Sequence, residues 1–264
     1  MKFLVLLFIF CSVVKAEPIV LTEKQANFVA MKVWQNEGAG QDKYLVHWND
    51  GEDFASVGIG HFIWFSKGHK EKFHEAFPEV LAFLKSKNVT MPSWLNSKAP
   101  LPWSSKKEFY QAKNSNSKKY RELFQLLKST KGYQAEFLAL RLNHSLPKML
   151  KTVTDPQQKA IIEERFYRIL KNSDSSINEK GLYALLDYVN FKGEGTAVSE
   201  RYKGQGWGLL QVLKHLNSTE INPLKAFAES ADAMLKRRIK NSPPERGEKR
   251  WQENWHNRVM SYWQ

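Results

Sequence analysis

Alternation of the kind that builds strands is confined to one stretch of this chain, residues 43–64, and most of the chain beyond it repeats at helical spacing. That pattern restricts the fold to a predominantly helical α+β body carrying a single small β-hairpin lobe near the N-terminus. Residues 43–48 are predicted as a strand, Asn49-Asp50-Gly51 as a turn, and residues 54–64 as one or two further strands. Gly58 and Gly60 alternate inside the last run, where strands avoid glycine. They imply a sharp bend or a ligand passing close to the backbone.

Thr22 followed by Gln25 forms a capping box and predicts a helix from about residue 23 to residue 36. Ala26, Ala30 and Val33 lie on one stripe of it, and continuing that stripe reaches Glu37, followed at once by Gly38-Ala39-Gly40. The helix therefore stops and leaves an acid at the lip of whatever it packs against. Further helices are expected over 73–87, interrupted or restarted near Pro78, over 105–128 and 132–150, and from Asp155-Pro156 to about 170. Another covers 177–189, with Leu182, Leu185, Leu186 and Val189 on one face, and another 208–216. Two more fall within 223–264, around the Ser242-Pro243-Pro244 break. Trp251, Trp255 and Trp263 read as a packing face of the last helix. Residues 91–103 and 172–176 are connections, and 190–206 is a glycine- and charge-rich loop, part of it helical from Ser199.

The N-terminus reads as a secretory signal. Met1-Lys2 is positive, Phe3 to Phe10 is apolar, and Val14-Lys15-Ala16 offers a small-residue cleavage site. Cys11 as a lipid carrier is the competing reading, and the bulky Ile9-Phe10 before it argue against that. Residues 1–16 are thus expected to be removed. Residues 17–264 would form one domain, with its β lobe at about 41–65 and its helical body at about 66–264, periplasmic or extracellular. Cys11 is the only cysteine, so the exported part must fold without disulfides and uses no thiol chemistry. No later segment approaches about 18 consecutive apolar residues, and no integral membrane segment is expected. The formal charge of +13 should draw the protein to polyanions. Outside the cytoplasm a cell wall or envelope surface is the expected polyanion rather than nucleic acid, although a secreted nuclease or nucleic-acid binder would carry the same charge.

Four carboxylates lie close in sequence: Glu37, then Asp50, Glu52 and Asp53 across the hairpin. Breaking a glycosidic bond needs an acid to protonate the leaving oxygen and usually a second carboxylate to hold developing charge or direct water. A helix-end acid facing an acidic hairpin meets that demand, although a solvated turn would also carry such acids. His61, His69 and His74 form no metal-ligand motif, and there is no Gly-x-Ser-x-Gly elbow. Neither a metal nor another cofactor is expected.

Glu37-Gly38, Asp50 and Ser56-Val57-Gly58-Ile59-Gly60-His61 together resemble the start of the phage-type lysozymes. There a helix ends in Glu-Gly, a hairpin carries an aspartate, and a Thr-Ile-Gly-Ile-Gly-His-like strand comes next. The resemblance spans about thirty residues and points to a diverged branch of the wider lysozyme-like superfamily, which also holds lytic transglycosylases. It implies a lysozyme-like fold and cleavage of peptidoglycan glycan strands by a monomer. Glu37 would be the general acid, assisted by Asp50 and by Ser56 in place of threonine. Glu52 or Asp53 would take the role of Asp50 if the longer hairpin shifts the alignment. His61 would support the hairpin. The acidic hairpin could also favour walls whose glucosamines have lost acetyl groups and present ammonium charges.

A second glycine-rich region, Tyr188 to Gly195 and Arg201 to Gly208, interleaves aromatic and hydrogen-bonding side chains. Read as a sugar groove, it would bring Asn190, Glu194, Gln205 and Trp207 to the cleft opposite Glu37. Read as a connection, it would bury Trp207 for packing. The alternative for the whole chain is a non-catalytic wall-binding or inhibitor protein on a lysozyme-like scaffold.

Overall fold

The computed structural model describes residues 18–69 and 74–264. The expected leader, with Cys11, and the start of the helix expected from residue 73 lie outside them. Ten α-helices and five short strands are found among the described residues.

Helix α1 (Glu23–Gly38) begins on the expected capping box: Thr22 accepts from the Gln25 backbone, and Gln25 reaches back to the Thr22 backbone. Strands β1 (Val46–His47), β2 (Ala55–Val57) and β3 (Phe62–Trp64) form one antiparallel sheet in chain order, with Val46 opposite Val57 and Ser56 opposite Ile63. The strand expected from residue 43 starts later because Asp42–Tyr44 winds into a 3-10 turn. Lys128 and Lys131 hold the Asp42 carboxylate there, at 2.9 and 2.7 Å. Between β2 and β3 the chain turns sharply through Gly58 (φ +74°) and His61 (φ +46°). What approaches the backbone of that bend is the protein itself. Buried Gln134 accepts from Ile59 N–H at 2.9 Å, and a Cβ on Gly58 would lie 2.4 Å from its Oε1.

Helix α2 (Phe77–Ser86) starts with Pro78 in its first turn rather than being interrupted by it. The helix expected over 105–128 is two, α3 (Lys106–Asn114) and α4 (Lys118–Ser129). Asn116 takes a left-handed conformation between them, and the Ser117 side chain caps α4 by accepting from Tyr120 N–H. Helices α5 (Lys131–Lys151) and α6 (Pro156–Leu170, capped by Asp155) lie where expected. Helix α7 (Glu179–Lys192) runs past residue 189 until Gly193, at φ +80°, ends it. Strands β4 (Arg201–Tyr202) and β5 (Gln205–Gly206) make a small hairpin before α8 (Leu209–His215), α9 (Pro223–Asn241) and α10 (Gln252–Met260).

Helix α1 packs on α5 and α7, α9 packs on α8 and α10, and α2 leans on both α5 and β3. One continuous apolar cluster runs from Val33 and Trp64 through Leu142 and Leu186 to Phe227 and Tyr262. The tryptophan face expected on the last helix is only partly present. Trp255 is buried, but Trp251 belongs to the preceding turn and is 43% exposed. No described helix is long and apolar enough to cross a membrane.

Candidate active site

Glu37 sits in the last turn of α1, four residues past buried Val33. Ala39, left-handed at φ +48°, ends the helix directly behind it. Gly38 is required by packing, since a Cβ there would lie 2.3 Å from the Trp34 ring. The Glu37 side chain is 16% exposed. Its Oε1 accepts from Arg258 Nη2 at 2.5 Å, and its Oε2 lies 3.6 Å from His61 Nδ1. The second distance is too long for an ordinary hydrogen bond. Burial pushes the His61 imidazole below its usual value, against the pull of the Glu37 carboxylate.

Arg258 makes Glu37 part of a buried charge network. Its Nε and Nη2 donate to the two oxygens of Asp187 at 2.9 and 2.8 Å, and Tyr262 donates to Asp187 at 2.6 Å. Asp187 is wholly buried in α7. Burial works against the Arg258 charge, but the Asp187 and Glu37 carboxylates outweigh it. Removing one member of such a buried set leaves the others uncompensated, at a cost of about 3–5 kcal/mol.

The β1–β2 hairpin supplies the second acid. Trp48 Nε1 donates to the Glu52 carbonyl at 2.6 Å, and Asn49 Nδ2 donates to Glu52 Oε2 at 2.9 Å. Glu52 then lines a cavity of about 590 Å³ together with Glu37, Asp53, Ser56, His61 and Arg246. Clefts of about 300–1,000 Å³ are the usual size for small ligands. Burial raises the Glu52 carboxyl above its usual value, and the Asn49 hydrogen bond opposes that. Ser56, at the centre of the sheet, is buried. A groove of about 670 Å³ continues from this cavity, sharing Gly51, Glu52 and Asp53 and extending to Ser66 and Lys106.

Asp50 does not line this cavity. Gly51, at φ +77°, carries the turn around so that the Asp50 carboxylate is fully exposed. There Lys106 pairs with it and holds its carboxyl below the usual range. Of the hairpin acids, Glu52 and Asp53 are therefore the two that line the cavity with Glu37.

None of the four residues expected from the second region lines the Glu37 cavity. Asn190 comes nearest, its Nδ2 donating to the Gly60 carbonyl at 3.2 Å and so bracing the bend that carries His61. Glu194 is held on α5 by Lys148 at 2.9 Å and Ser145 at 3.3 Å. Gln205 is exposed and accepts from Asn241. Trp207 is 5% exposed, packed on Tyr202 with the Arg238 guanidinium 4.2 Å from its ring. The glycines serve a backbone-to-backbone contact. Leu209 N–H donates to Gly193 O and Leu210 N–H to Glu194 O, and a Cβ on Gly208 would lie 2.1 Å from Gly195 N.

Sequence reasoning missed Arg258, Asp187, Asn49 and Arg246. Asp187 alone left a signal, as a charge inside the apolar run of α7. Among the described residues no three His, Cys, Asp or Glu side chains group so as to hold a metal ion. Comparison with protein-family models, curated proteins and solved structures finds no match to this chain.

Proposed function

We propose that this chain is an exported glycosidase of the lysozyme-like kind that cleaves peptidoglycan glycan strands, with Glu37 as general acid. The observation that carries the reading is one cavity lined by Glu37 from a helix end and Glu52 from a hairpin. Two carboxylates around one bond are what glycoside cleavage requires. The likeness of Glu37-Gly38 and Ser56-Val57-Gly58-Ile59-Gly60-His61 to phage-type lysozymes supports the same roles, and the groove continuing past Glu52 suits a polymer.

Glu37 would donate its proton from Oε2, the oxygen left free by Arg258. Glu52 takes the place first assigned to Asp50, stabilising the oxocarbenium-like state or directing water, with Ser56 beside it. Glu52 and Asp53 would also favour a glucosamine that presents an ammonium group. The deciding experiment is incubation of wild-type and Glu37→Gln proteins with native and chemically deacetylated peptidoglycan, followed by mass spectrometry of the fragments. Release by wild type alone supports the reading, and the masses of the ends separate hydrolysis from anhydro-sugar formation. Equal turnover of both walls removes the preference for deacetylated glycan. N-terminal sequencing of the secreted protein, starting after Ala16, tests the export signal.

One observation favours a second reading, a non-catalytic wall binder. Arg258 gives Glu37 a structural role as its charge partner, so the acid has a reason to be there without catalysis. Wall binding without fragments from wild type would select it.

A further inference from the structure

Two 3-10 turns, Pro244–Arg246 and Glu248–Trp251, carry the chain from α9 to α10, with Gly247 left-handed (φ +56°) between them. Glu248 is buried there. Arg238 of α9 donates to its carboxylate twice, at 2.8 and 2.7 Å, and Tyr202 of β4 once, at 2.8 Å. One carboxylate thus ties the turns to α9 and to the β4–β5 hairpin. Asn241, at the end of α9, also donates to Gln205 of the hairpin at 2.9 Å.

With Glu248 spent on buried partners, the exposed charges at this end of the three elements are mainly positive. Lys203 of the hairpin, Lys240 of α9, and Arg246, Lys249 and Arg250 of the turns are all exposed, beside only two exposed acids, Glu245 and Glu253. Of the five cations, Arg246 alone makes an ion pair among the described residues, a 3.4 Å contact with Glu248. On α4, by contrast, Lys118 and Lys128 face Glu122 and Asp42. Next to the cations stands Trp251, the one tryptophan that is exposed among the described residues, with the Arg250 guanidinium 5.3 Å from its ring centre.

We propose that this end of the molecule is a docking surface for an anionic phospholipid bilayer. Lys249 and Arg250 meet the headgroup phosphates, and Trp251 enters the boundary between headgroups and acyl chains. Basic side chains are drawn to anionic headgroups, and an indole, apolar in body and polar at its N–H, is favoured at that boundary. A soluble polyanion would reward the cations but leave the ring in water. The buried Glu248 holds the surface in shape before any lipid arrives. The glycosidase reading is independent of this surface, and the failure of either leaves the other standing.

The test is co-sedimentation of the purified protein with mixed phosphatidylglycerol–phosphatidylcholine vesicles and with phosphatidylcholine vesicles, in about 0.1 M salt. Binding should require phosphatidylglycerol. The double variant Lys249→Gln/Arg250→Gln should bind the mixed vesicles about 30-fold more weakly, about fivefold for each cation. Lys107→Gln/Lys118→Gln, an equal loss of charge on α3 and α4, should stay within about twofold, because salt screens charges held away from the bilayer. Trp251→Ala should weaken vesicle binding and leave binding to inorganic polyphosphate unchanged. All five positions are exposed, so the substitutions leave the core untouched. An equal loss in the two double variants overturns the surface by reducing it to net charge. Equal binding to both kinds of vesicle, or Trp251→Ala binding as wild type does, removes the anionic bilayer as the partner.

Discussion

The hairpin around residues 46–64 and the loop around residues 193–208 share one sequence signature, glycines interleaved with polar and aromatic side chains. They come to opposite ends. In the first, the glycines make a bend whose backbone is met by Gln134 and Asn190 from behind, and Glu52, Ser56 and His61 are left lining a cavity with Glu37. In the second, Gly193, Gly195 and Gly208 let the chain close on itself, and Trp207 fills the core. A glycine reports close approach and does not name what approaches.

The largest effect that sharpens this contrast is on activity. Glu37→Gln should cut glycan release by about 100- to 10,000-fold, the range for loss of a general acid, and Glu52→Gln should fall toward the low end. Glu194→Gln and Gln205→Ala, measured in the same fragment-release assay, should stay close to wild type. A large loss at Gln205 would return the second region to the site. Next comes the stability of the network that anchors Glu37. Arg258→Ala should lower the unfolding free energy by about 3–5 kcal/mol in urea denaturation, because Asp187 is left charged and unpaired. Gly208→Ala should cost about 1–3 kcal/mol, because its Cβ meets backbone, which cannot give way as a side chain can.

Lys192→Met tests a buried amine at the end of α7, which lies against the Trp255 and Phe191 rings. The folded protein holds this amine below its ordinary value of 10.5, so the unfolded chain binds more protons between the two. Wild-type stability should therefore rise with pH through that window and level off near the ordinary value. The Met variant should lose this slope and be more stable at neutral pH by about 1–2 kcal/mol, a gain that closes as pH rises. Thermal denaturation over pH 7–10.5 measures it. The smallest effect is expected at Asp50→Asn. An exposed pair with Lys106 is screened by solvent and contributes little to stability, and activity should remain within about twofold. A collapse of activity there would restore Asp50 to the reacting centre and displace Glu52.

Local structure was legible in the amino-acid order. Thr22 and Gln25 capped α1, Asp155 and Pro156 opened α6, and the apolar stripe ending at Glu37 placed that acid at a helix terminus. Those features depend on hydrogen bonds and spacings within a few residues, which one chain segment carries alone. Local signals failed where a neighbour in space competed. Lys128 and Lys131 drew Asp42 into a turn ahead of β1, whereas the left-handed Asn116 that split one expected helix into two is a local break the helical spacing did not announce. Which acids share a cavity emerged only from the folded chain, because a single φ of +77° at Gly51 separates outward Asp50 from inward Glu52. So did the meeting of Glu37 with Arg258 across 221 residues of chain. Charge pairing acts through space and not along the sequence, so the partner of a buried carboxylate is set by which helices pack together.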